Sequence, residues 1–253
     1  MPNGNGFGLT SVESGLNTAQ ESLTIVANNL ANQATPGFEA SWAQPVNGPI
    51  TQLPSGISTT GRVTTVTGST LAGSTLNAAP GSRTVTGNPS DLALSVPGYF
   101  PVRTPAGIML TRNGQFTLDA AGHLVSPGGG VLLDLALKPV TLPPGRYYVQ
   151  NGSIIAQNGA VVAQLGVASV PNPGGLLNVG GSLLQTTPAS GRLSLTPALG
   201  QDVLQGQLEN SNVSLVGSMA SLVALSGQYA QLATAGKIAQ QMDQITNSLA
   251  VIP

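Results

Sequence analysis

Two apolar stripes at opposite ends of the chain constrain its fold more than any other feature. Near the N-terminus Leu9, Val12, Leu16, Ala19, Leu23, Val26 and Leu30 recur at steps of 3, 4, 3, 4, 3 and 4. That heptad spacing places all of them on one side of a helix. Near the C-terminus Leu222, Leu225, Tyr229 and Leu232 step by 3, 4 and 3, and Ile238, Met242, Ile245, Leu249 and Ile252 by 4, 3, 4 and 3. Between Leu232 and Ile238 the spacing falls one residue short, around Ala235 and Gly236, a stammer that predicts local overwinding. No proline interrupts Ser214 to Val251, and Lys237 and Asp243 carry its only charges. A single apolar stripe of about 20 residues is not stable alone in water. Each helix therefore requires a partner strip, and the two ends are expected to come back together.

The first helix has a marked stop. Residues 27–38 read ANNLANQATPGF. Pro36 pushes Thr35 out of helical geometry and Gly37 tolerates positive φ, so the helix is expected to end near Ala34. The middle of the chain reads as strands. Asn113-Gly114 in MLTRNGQFTL, Asn151-Gly152 in YYVQNGSIIA and Asn158-Gly159 in IIAQNGAVVAQL each stand between alternating runs, which predicts type I′ hairpins. DAAG at Asp119 to Gly122 adds another turn. The Pro-, Gly- and Ser-rich stretch from Ala40 to Thr60 reads as extended connection, and residues 171–200 hold short strands at best.

The fold class that follows is α+β. N- and C-terminal helices pair as an α-helical, coiled-coil-like domain, and a central antiparallel β-rich domain lies between them. The expected divisions are residues 1–35 for the N-terminal assembly helix, 36–60 for an extended linker and 61–199 for the β-rich domain. A return linker spans 200–213 and the C-terminal assembly helix 214–253.

Composition excludes several functions. Charged residues make up 7% of the chain and the net charge is −1, against roughly 25% charged in an ordinary soluble domain. The eight Lys and Arg are scattered, so no nucleic-acid partner is expected. Mean hydropathy is +0.19, yet no run reaches the length of a membrane span, and no membrane insertion is expected. A surface of uncharged polar residues repels its own copies little, which suits coverage by identical neighbours. Cysteine is absent, and no basic region followed by an apolar one opens the chain, so no cleaved signal peptide is expected.

Chemistry is equally sparse. His123, the only histidine, follows a turn glycine with Asp119 as its sole nearby carboxylate. The patterns of a nucleophile elbow, a zinc protease or a phosphate-binding loop are missing. Asp91, Asp119 and Asp134 cannot be paired from sequence. The chain is expected not to be an enzyme, with no catalytic residue, metal ligand or cofactor.

SGLNTAQESLTIVANNLANQATPGFEA resembles the N-terminal signature of the flagellar rod and hook family of axial proteins. LENSNVS, with Met219 and Tyr229, resembles the family's C-terminal signature. DLALSVPGYFPV and MLTRNGQFTLDAAGHLVSPGG are similar to its core β segments. The resemblance implies a structural subunit of the bacterial flagellum, most readily a basal-body rod protein polymerising into a hollow drive shaft. A hook-type subunit is the alternative within the family. From a different class, an extracellular β-rich glycan-binding module with oligomerising helices is the rival.

By the same resemblance, self-assembly falls to both ends of the chain. The residues implied at the N-terminal end are Leu9, Val12, Leu16, Leu23, Val26, Asn28, Asn29, Leu30, Asn32, Pro36, Gly37 and Phe38. Those at the C-terminal end are Leu208, Glu209, Asn212, Val213, Met219, Leu222, Leu225, Tyr229, Leu232, Ile238, Met242, Ile245 and Leu249. Asn28 and Asn32, one turn apart, are expected to hydrogen-bond across helices, and Gly37→Val to harm assembly more than the β domain. The implied partners are further copies in a helical homopolymer, other rod and hook subunits, and the flagellar type III export apparatus. The implied location is the basal body, in the periplasm-spanning rod. The chain departs from the family pattern at Gly217 and Ser218, where acidic residues are usual, and at Ser226 and Gly227. It departs again across the usual Gly-x-Gly-Phe-Phe, which here is Val96, Pro97, Gly98, Tyr99 and Phe100.

Overall fold

A computed structural model describes residues 6–49 and 67–249. They fall into two compact units. One gathers the terminal helices with residues 41–74, and the other gathers residues 31–40 and 75–214.

In the first unit α1 spans Gly6–Ala31 and α2 spans Leu215–Leu249. The strands Ser41–Pro49 and Thr67–Leu76 form a two-stranded ribbon, with the end of the second strand passing into the other unit. α1 stops three residues before Ala34, and residues 32–34 are already in turns. The cause is local. Asn32 accepts a bond from the Thr35 amide (3.1 Å) at its carbonyl and one from the Thr35 hydroxyl (3.3 Å) at its side chain. Such bonds offer the backbone an alternative to the helical ladder.

α2 is α-helical without interruption for 35 residues. Its half-buried side passes through Leu222, Leu225 and Leu232 and continues to Gly236 and Ala239, whereas Ile238, Met242 and Ile245 are exposed. At α-helical geometry residues six positions apart do not share a face. The apolar residues divide between two sides of the rod. Ile252 lies outside the described residues.

The second unit is antiparallel β structure. Its seven-stranded sheet runs, in spatial order, Leu177–Gly180, Leu183–Gln185, Gly107–Thr111, Phe100–Thr104, Val131–Leu132, Leu124–Val125 and Thr117–Leu118. A three-stranded meander (Tyr147–Gln150, Ser153–Ala156, Val161–Gln164) and small ribbons surround it. Residues 171–200 thus supply two strands of the main sheet, where Leu184 sits opposite Leu110. The core gathers Leu92, Phe100, Val102, Phe116, Leu132, Ile154 and Leu165, each no more than 1% exposed. Phe100 and Phe116 meet edge to face with centroids 5.6 Å apart, a preferred aromatic geometry. Each buried phenylalanine contributes about 1.5–3 kcal/mol by its transfer from water.

The three Asn-Gly pairs diverge. Asn151 and Gly152 both take positive φ (49° and 69°) and join paired strands, as a type I′ turn requires. At Asn158-Gly159 only the glycine is left-handed, and its amide donates to the Ala156 carbonyl at 2.8 Å. Asn113-Gly114 is no hairpin turn, which corrects the expectation. The strands on either side of it pair elsewhere: Gly107–Thr111 with Phe100–Thr104, and Thr117–Leu118 with Leu124–Val125. Gly114 is buried, its carbonyl accepts the Leu92 amide at 2.9 Å, and a Cβ there would strike the Leu92 backbone. Glycine is needed for that close approach.

Candidate functional site

The helical unit carries most of the expected assembly residues. On α1, Val12, Leu16, Leu23, Val26 and Leu30 are half-buried and Ala19 is buried. A Cβ added at Gly15 would stand 3.4 Å from both methyls of Leu232, and one added at Gly236 would stand 3.3 Å from a Val12 methyl. An aliphatic side chain of the other helix thus lies over each glycine, at about the distance a methyl there would touch. On α2, Leu222, Leu225 and Leu232 are half-buried, while Met219, Tyr229, Ile238, Met242 and Ile245 are exposed. Val216 and Val223 are more exposed still, at 78% and 69%. The side chains of Leu9 and Leu249 lie outside the described ones.

The asparagines have different tasks. Asn29 is buried and holds the Ser41 backbone on both sides. Its Nδ2 donates to the Ser41 carbonyl (2.7 Å) and its Oδ1 accepts the Ser41 amide (2.9 Å). The side-chain amide imitates a peptide group and pins the start of the first strand to the last turn of α1. Asn28 is exposed and Asn32 half-buried.

The β unit contains the strips that follow α1 and precede α2 in the chain. Gly37 takes φ +62°, in the left-handed region where glycine is favoured. Its amide donates to the Glu209 carbonyl at 2.7 Å, and a Cβ there would overlap the backbone of Arg112 and Asn113. A larger residue at this position therefore strikes the β unit directly, which corrects the expectation for Gly37→Val. Pro36 is half-buried and Phe38 buried. Leu208 and Glu209 are buried on the strand Gln207–Glu209, which pairs with Arg83–Val85. Asn212 ties both strips together. Its Oδ1 accepts the Ala40 amide (2.7 Å), and its Nδ2 donates to the carbonyls of Asn77 and Ala79 (2.7 Å each). Val213 next to it is half-buried.

Beneath these strips lies a buried polar cluster that sequence reasoning did not assemble. Glu39, Tyr99, Arg112 and Glu209 are each 3–4% exposed. Arg112 Nε stands 3.3 Å from Glu209 Oε2, and Nη2 donates to the Val96 carbonyl at 3.1 Å. The guanidinium lies 5.9 Å from the Tyr99 ring centroid, and the Tyr99 hydroxyl reaches the Glu39 carboxyl at 3.1 and 3.2 Å. Burial pushes the Glu39 carboxyl up to about 7, against smaller opposing pulls from Arg112 and the Tyr99 hydroxyl. Burial also raises Glu209 despite its pairing with Arg112, and raises the Tyr99 phenol, with Glu39 beside it adding to the effect. Tyr99 was legible as a departure from the family pattern, but Glu39 and Glu209, 60 to 170 positions from the residues they meet or from each other, give no local sign of meeting.

The candidate chemical residues serve turns. His123 Nδ1 sits 3.1 Å from Asp119 Oδ2, and Asp119 Oδ1 accepts the amides of Ala121 and His123. Those amide bonds, the His123 one foremost, hold the Asp119 carboxyl below its usual range. Asp91 accepts from Thr86 and Asn88, and Asp134 from the amides of Ala136 and Lys138. No helix among the described residues is long and apolar enough to cross a membrane.

The described residues thus form a β module flanked in sequence by two long helices, with a buried polar cluster beneath the junction strips. The chain belongs to the flagellar rod and hook family: three of its models match in chain order. A flagella basal body rod protein model covers residues 9–38, the flagellar hook protein FlgE/F/G D1 domain covers 93–168, and the flagellar basal body rod FlgEFG C-terminal model covers 204–249. The chain is 29% identical over 262 residues to the flagellar basal-body rod protein FlgG of Buchnera aphidicola subsp. Schizaphis graminum, spanning 92% of this chain and 97% of that protein. It is 29% identical to the FlgG of Caulobacter vibrioides, spanning 95% and 98% respectively. The flagellar hook protein FlgE of Escherichia coli is 36% identical over 144 residues, which is 31% of its length.

Proposed function

We propose that this chain is a structural subunit of the flagellar basal-body rod, polymerising with its own copies and joining other rod and hook subunits. The observation that carries the reading is coverage. The chain aligns with nearly the whole length of FlgG proteins and with under a third of a hook protein. A rod subunit therefore accounts for nearly the whole chain, and a hook-type subunit for about half of it. The work is mechanical, with no catalytic step. The subunit is exported through the flagellar apparatus and stands in the part of the shaft that crosses the periplasm.

In this reading α1 and α2 pair within the subunit through the side that holds Val12, Gly15, Leu232 and Gly236. The nearness of Leu232 to Gly15 and of Val12 to Gly236 supports that pairing. The other side of α2, with Val216, Met219, Val223, Ile238, Met242 and Ile245 exposed, meets neighbouring copies. A charge-poor helix with apolar residues on two sides suits a site covered by protein on both. Leu16, Leu23, Val26 and Leu30 on α1 and Leu222, Leu225 and Tyr229 on α2 belong to the same assembly surfaces.

Basal bodies isolated from the organism that encodes the chain provide the test. An epitope-tagged copy is expected in the rod by immunogold electron microscopy. Label confined to the hook, or absent from purified basal bodies, overturns the proposal.

A further inference from the structure

Glu39 and Glu209 come from the two strips through which the chain enters and leaves the β unit. Residues 31–40 follow α1 and residues 210–214 lead into α2. Both carboxyls are buried, and they share one buried guanidinium, that of Arg112. The sharing is unequal. Arg112 stands 3.3 Å from Glu209, and Glu209 also accepts the Gly81 amide at 2.8 Å. Arg83, opposite Glu209 across the strand pair, adds a second cation on that side. Among the described residues Glu39 has no cation within 4.0 Å. Its partner is the Tyr99 hydroxyl, within reach of both carboxylate oxygens. A hydroxyl has one proton to donate, so a single donor serves two oxygens.

The charge balance depends on one proton. With both carboxyls ionised, the buried cluster of Glu39, Arg112 and Glu209 carries a net negative charge, which an interior tolerates poorly. With Glu39 protonated the cluster is neutral. The groups facing Glu39 are Tyr99 and Arg112 from the β unit and Glu209 from the returning strip, which repels it. We propose that Glu39 is a proton-operated latch: protonated, it seats residues 36–40 on the β unit, and ionised, it loosens that seat while the sheet behind stays folded.

The sign follows from linkage. Burial raises the Glu39 carboxyl from 4.5 to about 7 in the seated strip, so the seated form binds its proton more tightly than the open one. The seat is strongest below about pH 4.5, weakens as pH rises towards about 7, and is uniformly weaker above that. A subunit passing into a more acidic compartment gains a tighter junction. The latch does not depend on the rod assignment, because every residue in it belongs to the same unit of one chain.

Amide hydrogen exchange on the full-length monomer tests it. The reporters are Gly37 and Ala40, whose amides bond Glu209 and Asn212 within the seat. After correction for intrinsic exchange, their opening is expected to increase about tenfold between about pH 6 and about pH 8. Core amides such as Ile154 should change far less. Glu39→Gln, neutral at every pH, is expected to abolish the change. Tyr99→Phe removes the donor that favours the ionised form, and is expected to move the transition to higher pH. Opening that is independent of pH in the wild type, or unaltered by Glu39→Gln, overturns the latch. If Glu39→Gln does not fold, an unshifted transition in Tyr99→Phe overturns it.

Discussion

Gly37→Ala isolates what the tight junction is worth. Three effects add at this position. Left-handed backbone costs an alanine about 1–2 kcal/mol, and Gly37 has φ +62°. The new methyl overlaps the backbone of Arg112 and Asn113, and overpacking of that kind costs about 1–3 kcal/mol. Moving the strip away to relieve the overlap breaks the 2.7 Å bond to the Glu209 carbonyl, a further loss of about 1 kcal/mol. The expected total is roughly 3–6 kcal/mol, or a Tm drop of roughly 6–24 °C for a unit of this size. Gly87 provides the control. It has φ +72° with no atom within 4 Å of a built Cβ, so Gly87→Ala should lower Tm by only about 2–8 °C. Both variants are melted as full-length monomers by circular dichroism at matched pH. Equal Tm shifts for the two variants would mean that the Gly37–Arg112 contact carries no energy, and the account of the junction would be wrong.

Arg112→Met removes the guanidinium facing Glu209 and is expected to cost about 3–5 kcal/mol in urea unfolding; adding Glu209→Gln should recover a large part of that loss. Asn29→Ala loses both bonds to Ser41 and is expected to weaken that corner by about 1–2 kcal/mol, read as faster amide exchange at Ser41 without change in the β core. Ile238→Asp combined with Met242→Asp alters exposed positions, so the monomer should melt like wild type while the protein disappears from isolated basal bodies; normal recovery would reject that side of α2 as a copy contact. Leu23→Asp, on the half-buried side of α1, should abolish incorporation into basal bodies and leave melting of the β unit unchanged.

The sequence by itself determined what neighbours along the chain decide. Heptad spacing specifies α1 and α2 because residues three and four apart share a helical face whatever lies opposite. Asn151-Gly152 makes its turn because both residues accept left-handed backbone between alternating runs. Even the early end of α1 is local, since Asn32 and Thr35 bond each other. The family was legible because its motifs are contiguous strings at both ends and in the middle.

Tertiary structure decided the rest. Asn113-Gly114 has the same letters as a hairpin turn, yet the Leu92 backbone lies against it and its glycine answers a distant neighbour. Two apolar runs on α2 looked like one broken seam, but Ile238 and Met242 are exposed where Leu232 is half-buried, so the two runs face different surroundings. Glu39 became a buried acid with a raised affinity for its proton only when Tyr99, Arg112 and Glu209 closed over it from 60 to 170 positions away. Helical periodicity and turn propensity act over a few residues and can be read in order, whereas desolvation, close backbone approach and charge pairing depend on which distant segments share a site.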